Sequence, residues 1–358
     1  MGIIKGQVNP EFWKGKKVFL TGHTGFKGSW LSLWLQSMGA ILKGYALEEN
    51  TNPALFSVAN VADNMQSEIG DIRNLSQLKQ SMVSFNPDIL IHMAAQPLVR
   101  LSYKDPVDTY SSNVMGTVNV LEAARYCLNL KAIVSVTTDK CYENKEWTWG
   151  YRENEPMGGH DPYSGSKGCA ELVTSSFKRS FYNGEDTANL ASARAGNVIG
   201  GGDWADDRLI PDILTAFENK KPVIVRNPLS TRPWQHVLEP LSGYLVLAEQ
   251  LFVDTTLAEG WNFGPIDEDC KSVEWILNKM VNLWGDGALW ELDKNSHPHE
   301  AGFLKLDCSK AKNSLKWEPK WRLENTLSLI INWQQAFRSN ANMQDQCIQE
   351  IEKYQNSI

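Results

Sequence analysis

The sequence predicts an α/β fold built on a doubly wound parallel sheet, with a smaller, loop-rich α/β lobe beside it. Three observations carry that expectation. Short apolar runs alternate with helix-like segments through the first half of the chain, the pattern of successive βαβ units. A glycine-rich turn, TGHTGFKG, separates the first apolar run from the first helical segment. After about Gly196 the texture changes, as Gly200, Gly201, Gly202, Pro211, Pro222, Pro228, Pro233 and Pro240 break the alternation.

Taken in order, Lys17 to Thr21 reads as a buried strand and Gly28 to Met38 as the helix after the turn. Ile41 to Leu47 reads as a second strand, and Asp88 to His92, after Pro87, as another. Ala132 to Thr137 follows a helix expected over Val114 to Cys127. Asn189 to Arg194 follows a helix that begins near Tyr163. The main domain is expected over residues 1–195, with a later segment, roughly 230–258, packing back onto it. Residues 196–229 and 259–340 are expected to form the lobe, and 341–358 a polar helical tail in solvent.

Composition narrows the class. A chain of 358 residues, 42% hydrophobic, has ample length for a sizeable core. Its net charge of -7 argues against a nucleic-acid or anionic-membrane partner, while leaving room for a few local arginines to hold a small anion. The six cysteines show no paired spacing and read as reduced thiols rather than metal ligands. No apolar run approaches the roughly 20 residues of a membrane span, and the N-terminus lacks the apolar stretch of a secretory signal, so the expected location is cytoplasmic. Of the fourteen tryptophans, Trp147, Trp149, Trp204 and Trp234 fall in loop-like contexts, where some would line a ligand cleft.

The turn places Gly22, Gly25 and Gly28 between a strand and a helix. The first glycine permits the sharp turn, the second lets backbone approach a pyrophosphate, and the third lets helix pack against sheet. The helix N-terminus then stabilises the pyrophosphate through its free N–H groups and dipole. The spacing is GxxGxxG rather than GxGxxG, so the strand–turn–helix context carries the reading. His23, Phe26 and Lys27 lie within the turn and are expected to border the dinucleotide. The second strand ends Glu48-Glu49 with no arginine to meet a 2′-phosphate, which favours NAD over NADP. Asp71 and Ile72, after another presumed strand, are expected on the adenine side; Glu48 and Asp71 read equally well as surface acids.

Tyr163 and Lys167 form a YxxxK pair at the start of a helix (DPYSGSKGCAEL). Four residues is about one helical turn, so both face the same way. A neighbouring ammonium favours the phenolate and would lower the tyrosine from about 10 toward working pH, making it a general base for an alcohol being oxidised. Thr138, after the strand ending at Thr137, would orient that alcohol. His92, at a strand end, reads as a satisfied core histidine.

The glycine turn, Ala94-Ala95-Gln96, Asn113 in SSNVMGT, Thr138 and YxxxK together resemble the extended short-chain dehydrogenases that modify nucleotide sugars, over roughly residues 15 to 325. The resemblance implies a Rossmann-type domain, bound NAD, and a loop at Ala94, Ala95 and Gln96 lining the cofactor. It implies substrate contacts from Asn197 in RAGN and from Arg232 in RPWQH, an arginine suiting a diphosphate because several donors meet several oxygens. Arg100 and Arg208 are further candidates for the sugar or phosphate. His297, His299 and Glu300 have metal-like spacing, but nothing completes a coordination set; His299 and Glu300 are expected near substrate, and no metal is expected. The family also implies a homo-oligomer, dimer or tetramer.

Thr138-Asp139-Lys140 narrows the reaction. The 4,6-dehydratases of this family carry two ionisable groups after the threonine. Once C4 is a ketone, the C5 proton is acidified, a base must remove it, and an acid must protonate the departing C6 hydroxyl. Asp139 suits the acid if burial raises its pKa. Lys140 stands where the family usually has Glu; it is a base only when neutral, and otherwise stabilises an enolate. TDKCYEN, TGHTGFKGSW, MAAQPLVR, STRPWQHVLEPLSGYL and HPHEAGFLKLD resemble the branch acting on CDP-glucose, which implies a place in 3,6-dideoxyhexose and O-antigen synthesis. The alternatives are a dehydratase for dTDP-glucose or GDP-mannose, a 4-epimerase, and, further off, a non-catalytic NAD-binding regulator.

Overall fold

The computed structural model describes residues 6–293 and 302–357. Seven parallel strands form the central sheet. Six are β1 (Lys17–Thr21), β2 (Ile41–Ala46), β3 (Gln66–Ile69), β4 (Ile89–His92), β5 (Ala132–Val136) and β6 (Asn189–Arg194). The seventh, Gly260–Asn262, pairs with β6, and the order across the sheet is Gly260–Asn262, β6, β5, β4, β1, β2, β3. The order reverses between β1 and β4, which opens a crevice at the C-terminal strand ends.

Alternation along each strand feeds two cores. Val18 and Leu20 of β1, and Ile89 and Ile91 of β4, join one apolar layer. Phe19 and Leu90 join the opposite one with Leu78, Val120 and Leu190. Because successive side chains of a strand point to opposite faces, both faces of a run such as Ile89-Leu90-Ile91 must be apolar. The first helix after β1 runs Phe26–Ser37, and the helix carrying Tyr163 and Lys167 runs Pro162–Phe181. The helix expected over Val114 to Cys127 is interrupted: a π-helical turn at Ser111–Met115 precedes the regular helix Gly116–Ala124. The extra residue turns Asn113 inward, a device common at functional sites.

Two expectations of the organisation change. Gly260–Asn262, assigned to the lobe by sequence, is an edge strand of the main sheet, because Trp261 fills the core beside β6. The tail, expected as a solvated helix, is helical over Met343–Asn356 but docks on the main core through Met343, Cys347, Ile351 and Tyr354. Its polar residues mask a narrow apolar stripe that packs against the first helix. The lobe has its own core of Ile210, Ile213, Phe217, Trp234, Leu277 and Leu327. Most of the tryptophan burial is packing: Trp13, Trp30, Trp34, Trp261, Trp317 and Trp333 are fully enclosed.

Ile351 is completely buried, so Ile351→Ala is expected to destabilise the whole protein by about 2–5 kcal/mol, read from the urea midpoint. A solvated tail would leave that midpoint unmoved.

Candidate active site

A cleft of about 890 Å³ runs between the strand ends and the lobe. Gly22, Gly25, Phe26, Lys27, Gly28, Asp71, Ile72, Ala94, Ala95, Gln96, Arg100, Thr138, Asp139, Lys140, Tyr163, Lys167, Asn197, Arg208 and Arg232 all line it. His299 and Glu300 lie outside the described residues.

At the dinucleotide end, two glycines are obligatory for different reasons. Gly22 has φ +80°, and a Cβ there would stand 2.8 Å from Ala94 N. At Gly28 a Cβ would stand 2.0 Å from Gly22 O, so turn and helix pack at backbone contact. The helix cap is Gly25, without a side chain to satisfy the first N–H groups, and no acidic residue occupies the first turn. That is an anion cradle, and it fits a dinucleotide pyrophosphate. Asn113 buttresses the opposite wall. Its side chain accepts from Gln96 N at 2.8 Å and donates to Gln96 O at 3.0 Å. Asn113 is buried, so it positions the alanine loop rather than lining the cleft.

Two expectations at this end are corrected or refined. His23 does not border the cleft with its side chain: it is buried, hydrogen-bonded to Ser67 Oγ at 2.8 Å and packed edge-on against Phe56. The residue after a φ-positive glycine is turned toward the sheet, into the space above Gly44. Asp71 faces the cleft, but its carboxylate accepts from Arg73 Nη2 at 2.6 Å, and Arg73 is also paired with Asp108. His92 is a satisfied core residue, bonded to Thr21 Oγ1 at 2.7 Å and Thr117 Oγ1 at 3.2 Å.

At the centre, Tyr163, Thr138 and Asp139 converge. Asp139 is 1% exposed; Oδ1 accepts from Thr138 Oγ1 at 3.0 Å, and Oδ2 has no hydrogen-bond partner. Burial raises its carboxyl above the ordinary range, against the pull of Lys140, the Thr138 hydrogen bond and Arg232. A shift toward the protonated form is in the direction that an acid catalyst requires. Gly196, known from the sequence as the point where the texture changes and as part of RAGN, makes the space for it. A Cβ at Gly196 would stand 1.7 Å from Asp139 Oδ2. No local signal marks that requirement, because the two residues meet only in the fold.

Tyr163 departs from expectation. Burial pushes its phenol up to about 12, and the nearby Asp139 adds to the rise, while the hydrogen bond with Thr138 and the charge of Arg208 work the other way. The expected lowering by Lys167 is not among the influences that set this phenol. Burial takes Lys167 down to about 8, with Glu171 opposing; its Nζ donates to Val136 O at 3.4 Å. Lys27, expected beside the dinucleotide, reaches further: its Nζ lies 3.2 Å from Tyr244 Oη. Burial lowers it to about 7, and the charges of Lys167 and Arg208 lower it further.

On the lobe side, Arg208 pairs with Asp203 at 2.9 Å, and Arg232 acts electrostatically on Asp139. Both arginines therefore converge on the catalytic end. Arg100 meets Asp207 across the cleft mouth at 2.9 Å. Asn197 adopts φ +44°, a left-handed conformation that asparagine tolerates. Trp204 and Trp234 line the cleft. Trp147 and Trp149 instead pack on each other, Trp147 also against Tyr151.

A Rossmann-type sheet, a glycine cradle and a Thr–Asp–Tyr–Lys cluster facing paired arginines define a dinucleotide-dependent enzyme of the extended short-chain dehydrogenase class. The family profile described as GDP-mannose 4,6 dehydratase matches residues 19–330, and the chain belongs to that family. It is 60% identical, over 97% of its length and 98% of the relative's, to CDP-glucose 4,6-dehydratase of Salmonella typhimurium. The fold is shared with solved structures at lower identity. A dTDP-glucose 4,6-dehydratase from Streptomyces venezuelae, solved with NAD bound, superposes with TM-score 0.77 at 19% identity, covering 91% of this chain and 98% of that one. A UDP-glucose 4-epimerase from Thermotoga maritima superposes with TM-score 0.79 at 19% identity, over 90% and 99%.

Gly196→Ala is expected to leave the fold intact yet cut turnover of a nucleotide sugar by about a hundredfold or more, by displacing the acid. Circular dichroism and a turnover assay on the same preparation would check both halves.

Proposed function

We propose that the protein is a CDP-glucose 4,6-dehydratase, converting CDP-D-glucose to CDP-4-dehydro-6-deoxy-D-glucose and water with NAD as resident cofactor. The observation that carries this reading is the buried, partnerless Asp139 oxygen beside Thr138, in a chain 60% identical along nearly its whole length to the Salmonella enzyme. A 4-epimerase has no hydroxyl to expel and no need of an acid to protonate one.

When bound, NAD supplies a hydride acceptor for C4, a hydride donor for C6, and a positive charge on its ring. The pyrophosphate would be held by the turn from Gly22 to Gly28, and the rest by Asp71, Ile72 and the loop at Ala94, Ala95 and Gln96. Thr138 orients the C4 hydroxyl, and Tyr163 takes its proton. The Lys167 ammonium stabilises the phenolate, so the alcohol becomes a ketone without an unpaired charge. Loss of the C5 proton and protonation of the C6 hydroxyl by Asp139 then release water. Lys140 faces the cleft and stands as the base that accepts the C5 proton. Arg208 and Arg232 neutralise the diphosphate, with Asn197 and Arg100 completing the sugar-facing wall.

We also propose a homo-oligomer. Val107 is 77% exposed, Met115 52% and Leu172 61%, on helical segments that contact one another. Sedimentation equilibrium is expected to give a dimer or tetramer; a monomer at micromolar concentration would overturn this. The six unpaired thiols support a cytoplasmic setting. Among the described residues no helix is long and apolar enough to cross a membrane.

Two variants test the chemistry with CDP-glucose. Tyr163→Phe is expected to lose C4 oxidation by a factor of about a hundred or more while still binding NAD. Asp139→Asn is expected to oxidise C4 and then stall, so that reduced nicotinamide accumulates in a single turnover. Product from another nucleotide sugar, but none from CDP-glucose, would overturn the substrate assignment.

A further inference from the structure

Beneath the cleft lies a buried carboxylate that the steps above leave unused. Glu171 follows Lys167 by four residues and Tyr163 by eight on the helix Pro162–Phe181, so the three descend one face from cleft to interior. Glu171 accepts hydrogen bonds from Thr137 Oγ1 at the end of β5, from Ser192 Oγ of β6 at 2.7 Å, and from Arg194 Nη2 at 2.7 Å. Arg194 is anchored in turn by Tyr142 Oη at 2.7 Å and Glu153 O at 2.9 Å. The two side chains of the pair are 5% and 6% exposed. A buried ion pair rarely stabilises more than well-packed apolar residues would, so its placement points to a different role.

That role is legible in what the carboxylate joins. Thr137 immediately precedes Thr138 and Asp139, while Lys167 and Tyr163 ride on the same helix as Glu171. One side chain thus fixes the register between the two elements that carry the chemistry. It is also an anion facing the Lys167 ammonium. Cys141, His92 and Lys27 also interact electrostatically with Lys167. Burial alone would raise the Glu171 carboxyl, but Arg194, Thr137 and Ser192 outweigh it and hold it ionised.

We infer that Glu171 is a positioning residue for the C4 oxidation: it holds Thr138 in register with Tyr163 and keeps the Lys167 ammonium charged beneath the phenol. The inference rests on the oxidative role proposed above for Tyr163 and Lys167. Removing an anion beside Lys167 favours the neutral amine, so the ammonium, and with it the oxidation, is lost at lower pH.

The test follows nicotinamide reduction by rapid mixing of the NAD-loaded enzyme with CDP-glucose across a pH series. Glu171→Gln is expected to slow reduction about tenfold or more, leave KM for the sugar unchanged, and move the alkaline limb to lower pH by about one unit. Glu171→Asp, which keeps the charge, is expected to restore part of the rate and most of the limb. A folded Gln variant whose pH profile superimposes on the parent's would overturn the inference. If the Gln variant does not fold, Thr137→Val and Ser192→Ala each remove one hydrogen bond to Glu171 while keeping its charge. Both are expected to slow reduction severalfold, and unchanged rates in both would overturn it equally. Should the parent reduce NAD with a different nucleotide sugar and not with CDP-glucose, the substrate reading fails alone, and the same comparison proceeds with that sugar.

Discussion

The molecule depends on a single topological constraint. In a parallel sheet every strand delivers its C-terminal loop to the same edge, and where the order reverses those loops part instead of crossing. Here the reversal falls between β1 and β4. The glycine turn leaves one side of that gap and the Ala94-Ala95-Gln96 loop leaves the other, close enough that Gly22 cannot carry a side chain. β5 and β6 follow on one flank, and their ends bring Thr138 and Asp139 to the same edge as the loop holding Gly196 and Asn197.

Within that edge, protonation is set by competition between desolvation and charge. Burial shifts Asp139 toward its protonated form, outweighing three attractive neighbours. Lys167 is drawn toward neutrality by the same burial, with Glu171 resisting. Tyr163 remains a phenol at rest. A cationic nicotinamide ring and a substrate alcohol are the additions that would lower the cost of its anion. Burial thus favours the uncharged forms of Asp139, Lys167 and Tyr163 alike.

The lobe and the tail contribute by enclosure. The tail helix lies against the first helix, the one whose N-terminus forms the anion cradle, and Tyr354 Oη donates to the buried Glu239 at 2.6 Å. His236, just beyond the Arg232 segment, sits between Trp30 and Trp321 and 3.6 Å from Glu350. Segments distant in sequence therefore brace the cradle and the arginine loop against each other.

Much of this was legible without coordinates. Gly22, Gly25 and Gly28 follow from what a tight turn against a pyrophosphate requires, and Tyr163 with Lys167 from helical spacing; both are local rules that a linear pattern records. Thr138-Asp139-Lys140 was legible through the resemblance to the 4,6-dehydratases, which carry two ionisable groups after the threonine. What the tertiary structure alone decided were matters of distance between remote residues and of burial. The clearance that Gly196 makes for Asp139, the Glu171–Arg194 brace, the inward turn of His23, and the docking of a polar-looking tail have no local signature. The strength of Asp139 as an acid and of Tyr163 as a base belongs with them, because a pKa is set by the surroundings that the fold assembles and not by the residue itself.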